Sequence, residues 1–196
     1  MDHVIAPLDA GHARVVGELA SGVANVAGIS QLPIDVNPHI TLVACGGLSH
    51  DALSAAVESV VADMEPITVT AHGYGMFTGP DPLDLSLHVP VVRTRELDTL
   101  HRRLCQALHQ AGAEIAGWST PELWLPHITL VDRDLDPARI ARATAWLSYR
   151  RHPSWRIPME RIALRGGRMD ADTDETVIEL GDSPATERED AEGALN

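Results

Sequence analysis

The order of apolar and polar positions predicts the same series of elements twice: strand, helix, strand, helix, strand. β-Branched content and alternation indicate the strands, and apolar positions three or four residues apart indicate the helices. In the first half the predicted elements cover residues 4–8, 11–28, 39–43, 49–63 and 66–71. In the second half they cover residues 85–92, 94–111, 126–131, 136–149 and 155–164. The pattern therefore predicts a duplication.

Several of the predicted helices begin at residues that can cap them. Ser49, Thr94 and Asp136 carry short side chains whose oxygen atoms can accept hydrogen bonds from the first amides of a helix. Pro137 follows Asp136, and proline is favoured at the first helical position.

The duplication predicts an α+β fold of two pseudo-symmetric lobes, each built from one strand-helix-strand-helix-strand unit. Each lobe would hold a small, mainly antiparallel sheet and two helices, with a central cleft between the sheets. We expect one domain over residues 1–180, with lobe 1 at about 1–80 and lobe 2 at about 81–180, since 196 residues suffice for one sizeable core. Residues 181–196 are acidic and lack hydrophobic periodicity, which predicts a disordered tail.

The net charge of −13 is unevenly distributed along the chain. Residues 1–92 and residues 170–196 each hold one arginine and ten acidic residues. Residues 93–168 hold thirteen arginines and eight acidic residues, which makes this segment basic. Long duplex nucleic acid requires many phosphate contacts, which the acidic segments disfavour, but an arginine-rich segment can bind one or two phosphates. The charge therefore favours a nucleotide or a short RNA end as partner.

The composition disfavours several classes of protein and of site. No apolar run approaches the roughly 20 residues that span a bilayer, and no signal peptide is evident. We therefore expect a cytoplasmic protein without a membrane partner and, by default, a monomer.

Cys45 and Cys105 match no redox or zinc spacing, which predicts reduced packing residues. Histidines such as His88 and His101 also lack ligand spacing, so we expect surface or core residues, no metal site and no cofactor.

The string Pro-His-Ile-Thr-Leu occurs twice, at residues 38–42 and 126–130, with 88 residues between the equivalent histidines. In a strand, side chains two residues apart point to the same face. His39 and Thr41 therefore share one face, and the isoleucine and leucine share the other, where they can pack in a core. A purely structural repeat would bury both histidines, but packing gives no reason to place such a polar pair twice. Two such strands facing each other would present two imidazoles and two hydroxyls to one cleft.

These four groups suit the hydrolysis of a phosphodiester. One group must take a proton from the attacking water and another must give a proton to the leaving oxygen. Histidine suits both roles because its unperturbed pKa is about 6.5. Threonine hydroxyls can donate hydrogen bonds to the non-bridging oxygens, whose negative charge grows toward the transition state. The motifs therefore predict an acid, a base and an oxyanion clamp that need no metal.

With these motifs the chain resembles the two-histidine phosphoesterase superfamily, which includes bacterial RNA 2′,3′-cyclic phosphodiesterases, also called 2′-5′ RNA ligase-like proteins. The resemblance covers nearly the whole of residues 1–180, and Gly46, Gly75-Met76-Phe77 and Pro126 also match family positions. It implies a catalytic pair of histidines and a phosphate-holding pair of threonines. We call these residues the quartet: His39, His127, Thr41 and Thr129.

Five further residues are candidates for binding the substrate. Arg133 is a candidate for phosphate, although the family commonly has arginine one position earlier, and a strand side chain displaced by one position points to the other face. Trp124, Phe77 and Tyr74 are candidates for stacking on a base, with packing in the core as the alternative. Arg165 precedes two glycines and is a candidate for phosphate, with an ordinary turn as the alternative.

The expected reaction is metal-independent hydrolysis of a 2′,3′-cyclic phosphate, on an RNA end or a small nucleotide, to a 2′-phosphomonoester. One alternative is a nucleotide or RNA-end binding module without useful catalysis. Another is a phosphodiesterase for 2′-5′ oligoadenylates or a cyclic ADP-ribose phosphate that uses the same quartet. The two nearly identical motifs do not tell which histidine is the acid and which is the base.

Overall fold

The computed structural model describes residues 1–29, 37–78, 85–132, 135–166 and 175–181, and its elements confirm the α+β class. The strands are β1 (Asp2–Pro7), β2 (His39–Gly46), β3 (Ile67–His72), β4 (Gly75–Thr78), β5 (Leu85–Pro90), β6 (Glu114–Ile115), β7 (His127–Asp132), β8 (Ser154–Met159), β9 (Arg161–Arg165) and β10 (Glu175–Glu179). The helices are α1 (Ala10–Ala27), α2 (His50–Val61), α3 (Arg95–Gln110) and α4 (Pro137–Ser148), and a 3-10 helix covers Gly117–Ser119. Apart from Gly181, the predicted tail lies outside the described residues.

Each α-helix begins after a residue whose side chain accepts hydrogen bonds from backbone amides of the first turn. These residues are Asp9, Ser49, Thr94 and Asp136, which confirms the three predicted caps. α1 ends at Gly28, whose φ of 72° lies in the left-handed region that glycine adopts without strain. None of the described helices is both long enough and apolar enough to cross a membrane.

The two motif strands lie side by side in the middle of the main sheet. The order of its strands is β10-β9-β1-β2-β7-β5-β4, and β6 pairs with the far end of β2. The described strands of this sheet pair in antiparallel fashion, and β2 meets β7 through the single register pair Ile40–Ile128. The fold therefore brings the two copies of the motif into direct contact although they are far apart in sequence.

Strands and helices pair across the two halves of the chain. β4 ends the first half and pairs with β5, whereas β9 of the second half pairs with β1. β3 and β8 form a separate two-stranded sheet, and α1 packs on α4 as α2 packs on α3. A division of the chain near residue 80 therefore separates the two sequence repeats, but it cuts across strand pairs and helix pairs that join the two halves.

The predicted strand over residues 155–164 is two strands, because its two ends join different sheets. β8 pairs with β3, and β9 pairs with β1. Between them, the Glu160 carbonyl accepts a hydrogen bond from the Leu180 amide at 2.7 Å. The prediction of one continuous strand is wrong at this point.

β1 pairs with β2 in the same register, relative to the motif, as β5 pairs with β7. Thr41 lies opposite Ile5 on β1, and Thr129 lies opposite His88 on β5. A register shift interrupts the first pair of strands just before Ile5 and the second pair just before His88. A register shift at the same place in both halves supports a duplication, and it makes Ile5 and His88 structural equivalents.

Alternation along the motif strands separates a buried face from an open one, as predicted. Ile40 and Leu42 on β2 are at most 1% exposed, and Ile128 and Leu130 on β7 are at most 5% exposed. The histidine and threonine of each motif are half-buried or exposed on the other face. The apolar side chains therefore fix the direction in which the polar ones point.

Both cysteines are buried free thiols, as expected for packing residues. Burial raises the pKa of Cys45 and of Cys105 to about 11. Both thiols therefore stay protonated, and poorly nucleophilic, at neutral pH.

Two glycines of α1 give a matched test of the packing between α1 and α4. A Cβ on Gly22 would lie 2.3 Å from Cη2 of Trp146, whereas a Cβ on Gly17 would meet no atom within 4 Å. Gly22→Ala should lower the free energy of unfolding by about 1–3 kcal/mol, because the Trp146 ring must move. Gly17→Ala should raise it by up to about 1 kcal/mol, because alanine favours the helix. Chemical denaturation measures both, and unchanged stability of Gly22→Ala would contradict this packing.

Candidate active site

The quartet lies on the open face of the two central strands. His39 and Thr41 come from β2, and His127 and Thr129 come from β7. The strands run in opposite directions around the pair Ile40–Ile128. His39 therefore lies across from Thr129, and Thr41 lies across from His127. Each imidazole thus faces a hydroxyl of the other motif.

Both histidines are held by the same backbone contact. Nδ1 of His39 lies 3.1 Å from the carbonyl oxygen of Asn37, and Nδ1 of His127 lies 2.7 Å from the carbonyl oxygen of Leu125. A carbonyl oxygen only accepts, so each Nδ1 donates the hydrogen bond. Nε2 then carries the lone pair of the neutral ring. Each histidine can therefore take up a proton at Nε2 or, once protonated, give one away there.

The surroundings of His127 set the direction of its pKa shift. Burial lowers the pKa of His127 below its ordinary value, and the positive charge of His39 lowers it further. The hydrogen bond to the Leu125 carbonyl and the charge of Asp132 raise this pKa, but the net direction is down. His127 is therefore neutral at neutral pH.

Phe77 and His88 line the side of the cleft next to His127. The Phe77 ring stacks on the His88 ring at a centroid distance of 4.0 Å and an angle of 22°, and it meets His127 edge-on at 4.9 Å. The centroids of His88 and His127 are 5.1 Å apart. The structure therefore brings Phe77 to the quartet.

A family model of the 2′-5′ RNA ligase superfamily matches residues 26–168, a range that includes both motif strands. The chain belongs to the 2′-5′ RNA ligase superfamily. This superfamily comprises two-histidine phosphoesterases, so the resemblance seen in the sequence is confirmed.

Solved structures support the same fold for this member of the 2′-5′ RNA ligase superfamily. TT0787 of Thermus thermophilus matches with a TM-score of 0.61 and 19% identity, over 91% of this chain and 94% of that one. Escherichia coli LigT complexed with 3′-AMP matches with a TM-score of 0.57 and 18% identity, over 91% and 94%. LigT complexed with NADP⁺ matches with a TM-score of 0.57 and 18% identity, over 92% and 97%. Comparison with curated protein sequences gave no match.

Trp124 does not line the cleft; of its two predicted alternatives, the structure supports packing in the core and not stacking on a base. Its side chain is 1% exposed, and its ring lies parallel to that of His101 at a centroid distance of 3.9 Å. The indole N–H donates a hydrogen bond to the Thr41 carbonyl at 3.0 Å. Trp124 therefore supports the first motif strand from within the core of this superfamily member.

Tyr74 is also apart from the quartet. Its ring contacts that of His152 at a centroid distance of 5.8 Å, and its hydroxyl is buried without a hydrogen-bond partner among the described residues. Burial raises the pKa of Tyr74, and the nearby Arg150 lowers it by less. These contacts place Tyr74 beside the segment that joins α4 to β8. Arg133 lies outside the described residues.

Arg165 lies near the His39 side of the cleft. It is opposite His3 in the pair of β1 with β9. Burial lowers the pKa of His3, and the charges of His39 and Arg165 lower it further. Arg165 is 8% exposed, and its Nη2 atom is 3.7 Å from Oε2 of Glu175. Its contact with a phosphate stays a prediction.

His3 and His88 are residues of the cleft that sequence reasoning missed. His88 was expected on the surface or in the core; it is 5% exposed but lies opposite Thr129. The sequence had no signal for either residue, because their neighbours belong to strands far away in the chain. Among the described residues, no three histidine, cysteine, aspartate or glutamate side chains are grouped to hold a metal ion.

The buried ring of His101 should make the stability of the protein depend on pH. His101 is fully buried on α3, and burial lowers its pKa to about 4. Unfolding at acidic pH therefore lets this ring bind a proton, so stability is lost as pH falls from about 6.5 toward 4. His101→Gln should make the slope of unfolding free energy against pH shallower by about 1.4 kcal/mol per pH unit in this range.

Denaturant titrations of wild type and variant at several pH values measure this slope. His109→Gln is the matched control, because His109 is exposed on the same helix. The control should keep the wild-type slope. Equal slopes for wild type and His101→Gln would show that the buried ring is not the source of the pH dependence.

Proposed function

We propose that this protein hydrolyses a 2′,3′-cyclic phosphate, on an RNA end or a small nucleotide, to a 2′-phosphomonoester without a metal ion. The observation that carries the proposal is the quartet on adjacent strands. It offers two imidazoles whose Nδ1 atoms are both held by backbone carbonyls, with a threonine hydroxyl beside each on the same face. A single chain provides the whole arrangement, so a monomer suffices for the reaction.

The proposed reaction uses each group of the quartet once. A histidine takes a proton at Nε2 from a water molecule, whose oxygen forms a bond to phosphorus. The bond from phosphorus to O3′ breaks, and the other histidine, protonated at the start, gives its proton to O3′. Both threonine hydroxyls donate to the non-bridging oxygens as their charge grows. The products are a 2′-phosphomonoester and a free 3′-hydroxyl, and exchange with solvent restores the two histidines.

We assign the base to His127 and the acid to His39. A general base must be neutral to accept a proton, and burial lowers the pKa of His127 so that the neutral form prevails. The aromatic rings of Phe77 and His88 lie against one side of its ring. His39 lies on the other motif strand, opposite Pro7 of β1. The remaining role, to hold the proton that the leaving oxygen needs, therefore falls to His39.

A nucleotide is the substrate class that the flanks of the cleft favour. The Phe77 ring lies 4.9 Å from His127, where a base attached to the reacting ribose can stack on it. Arg165 lies on the other side, beyond His3. LigT, a structural neighbour, has been crystallised with 3′-AMP, NADP⁺ and ATP, which supports a nucleotide here.

Removal of either histidine should abolish turnover. His39→Ala and His127→Ala should each lower kcat/KM on 2′,3′-cyclic nucleotides by about 100-fold or more, because each removes one proton transfer. Wild-type turnover should persist in EDTA. His72→Ala is the matched control, because His72 is exposed at the end of β3, and it should keep wild-type activity.

The same panel separates the alternatives. Turnover of both histidine variants within a few-fold of wild type would refute the mechanism. Faster wild-type turnover of 2′-5′ oligoadenylates than of cyclic phosphates would favour that substrate instead. A folded wild-type protein that binds nucleotides with no turnover of any compound would favour the binding module.

The pH dependence of kcat/KM tests the assignment of His127 as base. A base with a lowered pKa stays deprotonated to lower pH, so the acid limb of the profile should have its midpoint below about 6.5. Activity should therefore be retained at mildly acidic pH and be lost only below it. Circular dichroism at each pH excludes unfolding as the cause. An acid limb centred above about 6.5 would contradict the assignment.

A further inference from the structure

His88 is an imidazole of the cleft for which the proposed reaction has no use. It lies on β5 opposite Thr129, it is 5% exposed, and its Nδ1 atom is buried with no hydrogen-bond partner among the described residues. One face of its ring is stacked on Phe77, and its centroid is 5.1 Å from that of His127. A buried polar ring without a partner costs stability, so its presence beside His127 calls for another reason.

Gly75 gives the His88 ring its place. The two residues lie opposite each other in the pair of β4 with β5. A Cβ on Gly75 would lie 2.3 Å from Nε2 of His88, and the three nearest atoms that it would meet all belong to this ring. Any larger residue at position 75 would displace the imidazole. The His88 ring therefore occupies the space that a side chain at position 75 would need.

We propose that His88 is a positioning residue for His127, and that with Phe77 it forms a wall that keeps water from one side of the His127 ring. The inference rests on the proposed function only in naming His127 as the base. The wall acts by packing, because burial lowers the pKa of His88 to about 4 and the ring is uncharged at neutral pH.

The environment of His127 supports this role. Among the described residues, the titratable groups that face His127 are His39 on β2, His88 on β5 and Asp132 on β7. Burial is the largest cause of the lowered pKa of His127. Within the described part of the chain, the aromatic rings that contact His127 are those of Phe77 and His88. Removal of the His88 ring opens one side of His127 to water and leaves Phe77 without its stacking partner.

The direct test is a titration of His127 by NMR in protein labelled with ¹⁵N-histidine, with the signal assigned by comparison with His127→Gln. In His88→Ala the pKa of His127 should rise by about half a unit or more toward its ordinary value. Gly75→Ala should shift it in the same direction, because the new methyl group displaces His88. The double variant should match His88→Ala, because the methyl group then meets no ring.

Two control variants separate this role from a general loss of structure. Met76→Ala changes the same strand at a position that is 46% exposed and pairs with Leu87, and it should leave the titration of His127 unchanged. His88→Phe keeps a flat ring in place, so the pKa of His127 in this variant should stay close to its wild-type value. Thermal denaturation of each variant shows that it is folded under the conditions of the titration.

An unchanged pKa of His127 in His88→Ala and in Gly75→Ala would overturn the proposal. A further shift in the double variant beyond that of His88→Ala would also overturn it, because Gly75 would then act independently of His88. If His88→Ala does not fold, the comparison of Gly75→Ala with His88→Phe decides. The titration needs no substrate, so its outcome is independent of whether wild type hydrolyses cyclic phosphates. Where turnover is found, the acid limb of kcat/KM should move with the pKa of His127.

Discussion

The burial of Ile40 against Ile128, where β2 meets β7, is the constraint on which the rest of the structure depends. Both side chains are at most 1% exposed. Because strand side chains alternate, burial of these isoleucines places the histidine and threonine of each motif on the opposite face. A slip of one residue in either strand would exchange the two faces of that strand and bury its imidazole. The geometry of the quartet is thus set by aliphatic packing and needs no attraction between the histidines themselves.

The exchange of elements between the halves reinforces this constraint. β9 comes from the second half but lies beside β1, and β4 comes from the first half but lies beside β5. The helices follow the same rule, since α1 packs on α4 and α2 packs on α3. Neither half therefore holds a complete sheet or a covered helix pair by itself. One hydrophobic core forms from both halves, and it fixes the two motifs relative to each other.

What the sequence could predict depends on the range of the interactions involved. The caps at Ser49 and Asp136 and the shared face of His39 and Thr41 follow from neighbouring residues, and the structure confirms them. The two alternatives for Trp124 stayed open because a tryptophan before a strand looks the same whether it faces a cleft or a core. Its ring packs on His101 of α3, and its indole N–H bonds to the Thr41 carbonyl of β2, contacts that its neighbours in sequence do not reveal. The pairing of β9 with β1 and of β5 with β7 is equally non-local, so neither the exchange of β9 nor the place of His88 opposite Thr129 had a local signature.

Two nearly identical motifs acquire different surroundings from the strands beside them. The outer strand places Ile5 opposite Thr41, but it places His88 opposite Thr129. A symmetric quartet cannot by itself distinguish the attacking side of a phosphodiester from the leaving side, because each half offers the same two groups. Two aromatic rings bury His127 on one side, whereas the other side has His3 and the charged Arg165. The direction of the proposed reaction therefore comes from the divergence of these flanks after duplication, since the repeated pentapeptide supplies the same chemistry twice.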